Sequence, residues 1–173
     1  MDFLLSQKED LHSIMNIVGD AQSFLASLEI DQWQDGYPDE DIILNDISNK
    51  ESYIVKNREG DTMGIAMFST RSEPTYNFIK GNWLTGENVE YAEYGVIHRM
   101  AVSSSHRGKG VAKFIFDSCE QLLKESDVAS MRIDTHEGNK IMQGLLKKLG
   151  YIYCGVIYLD NGDKRLAFEK LFV

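Results

Sequence analysis

Apolar residues first recur at helical spacing at Leu11, Ile14, Met15, Val18, Ala21, Leu25 and Leu28, which predicts a helix over residues 8–27. Ahead of it, Ser6-Gln7-Lys8-Glu9 has the Ser-x-x-Glu form of a capping box, and residues 3–5 read as a first strand. Residues 31–38 are polar and turn-rich yet carry two large aromatics, Trp33 and Tyr37. These either plug the core or form a wall beside a substrate, a use to which rigid aromatics on loops are often put. Pro38 opens a second helix, with Asp39, Glu40 and Asp41 near its positive end and Ile42, Ile43 and Ile47 along it. Residues 52–56 and 62–70 read as a hairpin around Asn57-Arg58-Glu59-Gly60. Across residues 71–92, Tyr76, Phe78, Ile79 and Trp83 lie scattered among Gly, Asn, Ser and Glu without a period. A long loop and an extended pair of strands both remain open there.

The second half is clearer. An apolar strand, residues 96–102, leads through a Ser-rich turn into Arg107-Gly108-Lys109-Gly110. A helix follows, with Val111, Phe114, Ile115, Cys119, Leu122 and Leu123 on one face, ending near Ser126. Residues 130–135 form a further strand. Asn139 caps a helix carrying Ile141, Met142, Leu145, Leu146 and Leu149, which stops at Gly150. Gly144 inside that helix costs about 1 kcal/mol against alanine, so a packing reason for it is expected. Residues 151–159 and 164–172 flank Asp160-Asn161-Gly162-Asp163, a strong hairpin signal. With no internal repeat, low-complexity tract or linker, residues 1–173 read as a single domain.

Composition narrows the class. A chain of 173 residues that is 43% hydrophobic can bury a real core. No apolar run approaches the roughly 18 residues of a membrane span, and the first residues lack the basic and apolar regions of a signal peptide, so a cytoplasmic location is expected. Cys119 and Cys154 belong to no CxxC or Cys/His cluster and read as reduced core residues; no metal is expected. The net charge of −9 argues against nucleic acid or an anionic membrane as partner, but not against a bound nucleotide. His106, Arg107, Lys109 and Lys113 form a local basic set, whereas Asp31, Asp35, Asp39 and Asp41 suit either a solvated surface or a cationic acceptor.

The glycine-rich turn carries the chemistry. Backbone N–H groups at a glycine-rich helix start point outward, and the helix dipole adds positive potential, so a pyrophosphate sits well there. A P-loop is excluded because no Gly-x-x-x-x-Gly-Lys-Ser/Thr is present, and a dinucleotide fingerprint because its last glycine position holds Lys113.

Arg107-Gly108-Lys109-Gly110-Val111-Ala112 resembles the Arg/Gln-x-x-Gly-x-Gly/Ala segment of the GCN5-related N-acetyltransferase (GNAT) superfamily. Met100-Ala101-Val102 resembles the Leu-x-Val strand end that precedes it. Asn139, Met142, Leu145, Leu146, Gly150 and Tyr151 fall at the offsets of the family's Asn-x-x-Ala-x-x-Leu-Tyr-x-x-x-Gly-Phe segment. The resemblance covers about residues 50–172, and the two N-terminal helices fit the same plan.

It implies a mixed α/β fold, with about four helices on both faces of a mostly antiparallel sheet of six or seven strands, splayed at the fourth and fifth. It implies transfer of an acetyl group from acetyl-CoA, a cosubstrate, to a primary amine of a small molecule or peptide by direct attack. The pyrophosphate would rest on the backbone of Arg107, Gly108, Lys109, Gly110, Val111 and Ala112, and the pantetheine arm would pair along Met100, Ala101 and Val102. Asn139 would contact the arm, cap its helix, or do both; Arg107 would contact phosphate or hold the loop. Family members are often dimers, which leaves a homodimer open.

Acetyl transfer to an amine needs a neutral amine, stabilisation of the oxyanion and a proton for the thiolate. The backbone N–H of Met100 is the expected oxyanion donor. His98 is the first candidate base, since strand alternation places it on the face of Met100 and Val102 and an unperturbed imidazole accepts a proton at neutral pH. Glu93 and His136 are alternatives. Leu146 stands where the family has its proton-donating Tyr, and Tyr151 and Tyr153 lie on the following strand and do not replace it. That departure supports a competing assignment, a non-catalytic acyl-CoA-binding or sensing domain. Trp33 and Tyr37 are the expected acceptor wall.

Overall fold

The computed structural model describes residues 1–85 and 94–172. In chain order its elements are β1 (Asp2–Leu5), α1 (Leu11–Ser27), α2 (Glu40–Ser48), β2 (Ser52–Lys56), β3 (Thr62–Ser69), β4 (Lys80–Gly81), β5 (Tyr94–Val102), α3 (Val111–Glu125), β6 (Ser130–Thr135), α4 (Lys140–Lys148), β7 (Ile152–Tyr158) and β8 (Lys164–Leu171). They form two compact units, Met1–Phe68 with His98–Ser118, and Ser69–Ile97 with Cys119–Val173. Among the described residues no helix is long and apolar enough to cross a membrane.

In the first unit the strand order is β1-β2-β3-β5. β2 pairs antiparallel with both β1 and β3, through rungs such as Phe3↔Val55 and Ile54↔Ile65. Helical spacing puts Ile14, Ile17 and Val18 on one face of α1, where they meet Ile43 of α2 and Ile54, Ile65 and Ala101 of the strands. Each such side chain contributes about 1.5–3 kcal/mol by leaving water. The helix starts fall slightly later than the sequence suggests. Residues Lys8–Asp10 form a 3₁₀ turn in which the Gln7 N–H donates to Asp10 Oδ2 at 2.8 Å. Ser6 is not the cap: its buried hydroxyl accepts from Ser52 Oγ at 2.9 Å. For α2, Asp39 rather than Pro38 marks the start, its carboxylate accepting from the Ile42 N–H at 2.9 Å.

In the second unit the order is β5-β6-β8-β7-β4. β8 pairs antiparallel with β6 and β7, β7 pairs antiparallel with β4, and β5 pairs parallel with β6. The described β5–β6 pairing has three rungs, Tyr94↔Ser130, Gly95↔Met131 and Val96↔Arg132, at the start of a nine-residue strand. Tyr76, Trp83, Tyr94, Val96, Cys154, Ile157 and Ala167 make the core. Cys119 and Cys154 are both free thiols, and burial pushes each of them up.

The sheet therefore has eight strands among the described residues, not six or seven. The addition is β4, in the stretch with no readable period, which also holds a 3₁₀ turn at Pro74–Phe78. A buried ionic cluster fixes that stretch. Glu169, fully buried, accepts from Arg132 Nε at 3.1 Å, Ser130 Oγ at 2.9 Å and Thr85 Oγ1 at 2.9 Å, and also from the Leu84 N–H. The Arg132 guanidinium lies between the rings of Trp83, at 4.3 Å, and Tyr94, at 4.0 Å. The packing reason expected for Gly144 is not there: a Cβ on it would meet nothing within 4 Å.

Candidate functional site

The site residues on β5 follow a backbone kink that the sequence pattern does not announce. Arg99 has a φ of +49°, in the left-handed region that a long side chain rarely adopts. Alternation of faces therefore does not run through it. His98, Arg99 and Met100 are all partly buried, and Ala101 is buried. The placement of His98 on the face of Met100 by strand period loses its basis, although the two still flank one residue.

What holds Arg99 is a fork onto α2. Its Nε donates to Asp46 Oδ2 at 2.7 Å and its Nη2 to Asp46 Oδ1 at 2.8 Å, while Nη1 donates to the Tyr37 hydroxyl at 2.7 Å. Asp46 is 3% exposed, and burial raises its carboxyl, against the opposing pull of Arg99 and of nearby His98. For Arg99, burial works against the charge, but Tyr37 and Asp46 outweigh it and hold the guanidinium protonated. Neither Arg99 nor Asp46 emerged from the motifs. One signal was present: Asp46 sits three residues after Ile43, on the apolar face of α2, where an acid needs a partner.

The aromatic loop divides. Trp33 packs against the core of the first unit beside Leu11, Met15 and Ile47. Tyr37 is 36% exposed; its carbonyl accepts from Gln22 Nε2 at 3.0 Å, and its hydroxyl is the one bound by Arg99.

After β5 the turn runs through residues Ser104–His106 into the glycines. Gly108 and Gly110 have φ values of +74° and +81°, which glycine adopts freely and other residues do not, and a Cβ on either would meet nothing within 4 Å. The backbone is therefore approachable there. The Phe114 N–H donates to Gly110 O at 3.0 Å, which opens α3, so the N–H groups of Val111, Ala112 and Lys113 precede the helical ladder. Arg107 turns toward α1: its guanidinium lies 4.1 Å from the Phe24 ring and donates to Asp20 O at 3.2 Å. Lys113 pairs with Asp117, so the basic set is partly answered by acids outside it. Gly64 of β3 lets this end of the unit close up; a Cβ there would lie 2.9 Å from Val111 Cγ1 and 3.2 Å from Ala101 O.

The remaining candidates belong to the second unit. Asn139 caps α4, accepting from the Met142 N–H at 3.0 Å. His136 Nδ1 accepts from the Gly138 N–H at 3.0 Å. A neutral imidazole so placed carries its proton on Nε2 and spends its basic nitrogen on the turn. Leu146 is fully buried. Tyr151 is buried, its hydroxyl donating to Glu120 Oε1 at 3.2 Å, while Tyr153 is exposed and lies edge-on to Phe168. Glu93 lies outside the described residues.

Comparison with known proteins accords with this geometry. Residues 20–151 match the model of the acetyltransferase (GNAT) family. A GNAT-family acetyltransferase of Streptococcus agalactiae 2603, solved by crystallography, is 32% identical, with 99% of this chain and 95% of that one aligned at a TM-score of 0.87. A second, from Listeria monocytogenes 4b F2365, is 19% identical with a TM-score of 0.76 over 99% of this chain and 94% of that one, a likeness of fold. A curated Bacillus subtilis (strain 168) protein, named as a candidate [ribosomal protein bS18]-alanine N-acetyltransferase, is 28% identical over 89 residues, which are 50% of this chain. The match spans 55% of that relative's length.

Proposed function

Because the chain belongs to the acetyltransferase (GNAT) family, whose model matches residues 20–151, we propose that it transfers an acetyl group from acetyl-CoA to the primary amine of a small molecule or peptide. The observation that carries this is the approachable left-handed turn at Gly108 and Gly110, opening α3 just after β5. When bound, acetyl-CoA supplies an activated acyl carbon and a thiol leaving group.

The chain's own groups divide the remaining work. Backbone N–H groups of Gly108 to Ala112 receive the pyrophosphate. Arg107, committed to Phe24 and Asp20, holds the turn against α1 rather than reaching for phosphate. Met100, Ala101 and Val102 offer strand-edge pairing to the pantetheine arm, and the Met100 N–H faces the charge that develops on the carbonyl oxygen. His98 takes the proton of the attacking amine; His136 is committed to its turn. Asn139 caps α4 and orders the start of that helix. With Leu146 in the acid's place, water returns the proton to the thiolate, and positioning does most of the catalysis.

The alanine N-acetyltransferase name carried by the Bacillus subtilis relative supports a peptide amino terminus as acceptor. The acidic side chains of Asp31, Asp35 and Asp41, near Tyr37, suit a cationic one. Free, buried thiols fit a reducing cytoplasm.

Buried Leu146 favours one competing assignment, an acyl-CoA sensor without turnover. Both assignments require binding. Acetyl-CoA at about 100 times its Kd should add roughly 2.7 kcal/mol to stability, and a thermal-shift experiment with no response removes both. Release of free thiol across an amine panel then separates them. His98→Ala is expected to lower that turnover about 10²-fold or more with acetyl-CoA affinity retained; undiminished turnover takes His98 out of the base role.

A further inference from the structure

The Arg99–Tyr37 contact carries an implication for which amine is chosen. A guanidinium has donors only, so at the 2.7 Å contact Arg99 Nη1 donates and the Tyr37 oxygen accepts. The hydroxyl proton must then point away from Arg99. Among the described residues nothing receives it, and Tyr37 is 36% exposed. A hydroxyl polarised by a charged donor is itself a stronger donor. The hydroxyl cannot swing freely, because Arg99 is anchored by both carboxylate oxygens of Asp46, and the Tyr37 carbonyl is held by Gln22. Arg99 directly precedes Met100, so this fixed donor is one side chain's reach from the strand assigned to the chemistry.

We propose that Tyr37 is a specificity-determining residue that donates a hydrogen bond to a carbonyl oxygen next to the reactive amine, and that Arg99 and Asp46 are the positioning residues that aim it. An ammonium has no lone pair to accept this bond, and a neutral amine needs its own to attack the acyl carbon, so the partner is the amine's neighbour: the amide carbonyl of a peptide amino terminus or amino-acid amide. The negative charge of the chain makes a free carboxylate the poorer version of the same acceptor. This assignment rests on the acetyl-transfer reading and narrows its substrate class.

The test uses two near-isosteric amines, L-alaninamide and 3-methyl-2-butylamine, which differ by a carboxamide in place of an isopropyl group, with alanine as the carboxylate arm. The ratio of kcat/KM for alaninamide over 3-methyl-2-butylamine is measured in wild type and in Tyr37→Phe. Differences in amine basicity enter both proteins equally, so the change in ratio is the readout. Tyr37→Phe is expected to lower the ratio about tenfold, mainly through the KM for alaninamide. Arg99→Lys, which keeps the charge but not the fork, is expected to lower it in the same direction. A general loss of structure would lower both amines together and leave the ratio where it was. A ratio unchanged in Tyr37→Phe, or alanine outrunning alaninamide, overturns the assignment while acetyl transfer stands. Failure of all three amines to release thiol, in protein that binds acetyl-CoA, overturns the assignment and the reading beneath it.

Discussion

Gly144 sits in the middle of α4, exposed, with open space where a side chain would begin. Nothing in the fold requires a glycine there, so Gly144→Ala is expected to raise stability by about 0.5–1 kcal/mol through helix propensity alone. A higher denaturation midpoint with an unchanged m-value would show it; a lower one would mean that the alanine methyl is strained in the folded helix. Asn139, at the start of the same helix, is the opposite case. Its side chain satisfies the Met142 N–H, and Asn139→Ala is expected to cost about 1 kcal/mol. The cap was legible in the sequence because capping is local. Arg99 was not: whether a strand residue takes a φ of +49° depends on Asp46 and Tyr37, which lie 53 and 62 positions away in the chain. The assignment of His98 by alternation faltered for that reason. The glycines at 108 and 110, by contrast, declared the turn in advance, since few other residues accept its backbone.

Elements that carry their own period were readable to within about three residues, the largest miss being the start of α1 at Leu11 rather than residue 8. β6 and α4 begin and end where alternation and caps place them, and β2, β3, β7 and β8 follow their hairpin signals. β4 has no period to read because it has two residues. It exists because Gly81 and Gly155 allow two backbones to touch: a Cβ on Gly155 would lie 2.4 Å from Lys80 O and 2.9 Å from Gly81 Cα. No view of residues 71–92 alone could supply Gly155, Cys154 or Glu169. Gly155→Ala should therefore push β4 off the sheet edge, at a cost of about 1–3 kcal/mol. The Asn82 N–H, which donates to Cys154 O at 3.0 Å, reports this directly. Its hydrogen exchange is expected to accelerate in the variant well beyond that of the central β6 and β8 amides, and equal protection in the two proteins would contradict this account of the edge.

At the scale of the whole chain, each compact unit has its own apolar cluster and its own buried ion pair, Asp46–Arg99 in the first and Glu169–Arg132 in the second. Two elements are continuous through the boundary: β5 passes it between Ile97 and His98, and α3 between Ser118 and Cys119. A helix melted from one end loses hydrogen bonds from the next turn, and a strand loses its rungs in sequence, so disorder in one unit should propagate along both elements. The expectation of one domain thus becomes a prediction of one cooperative transition. The two tryptophans serve as separate probes, Trp33 in the first unit and Trp83 in the second. In single-tryptophan proteins, Trp83→Phe and Trp33→Phe, urea unfolding is followed by fluorescence before and after adding Glu169→Gln. That change leaves the buried Arg132 without its counter-charge, and removing one partner of a buried pair costs about 3–5 kcal/mol. If the chain unfolds as one, the Trp33 signal of the first unit shifts by as much as the Trp83 signal of the second. A Trp33 midpoint that stays in place while the Trp83 midpoint falls would show two domains, and the glycine-rich turn at Gly108 and Gly110 on the first unit would then fold without the second.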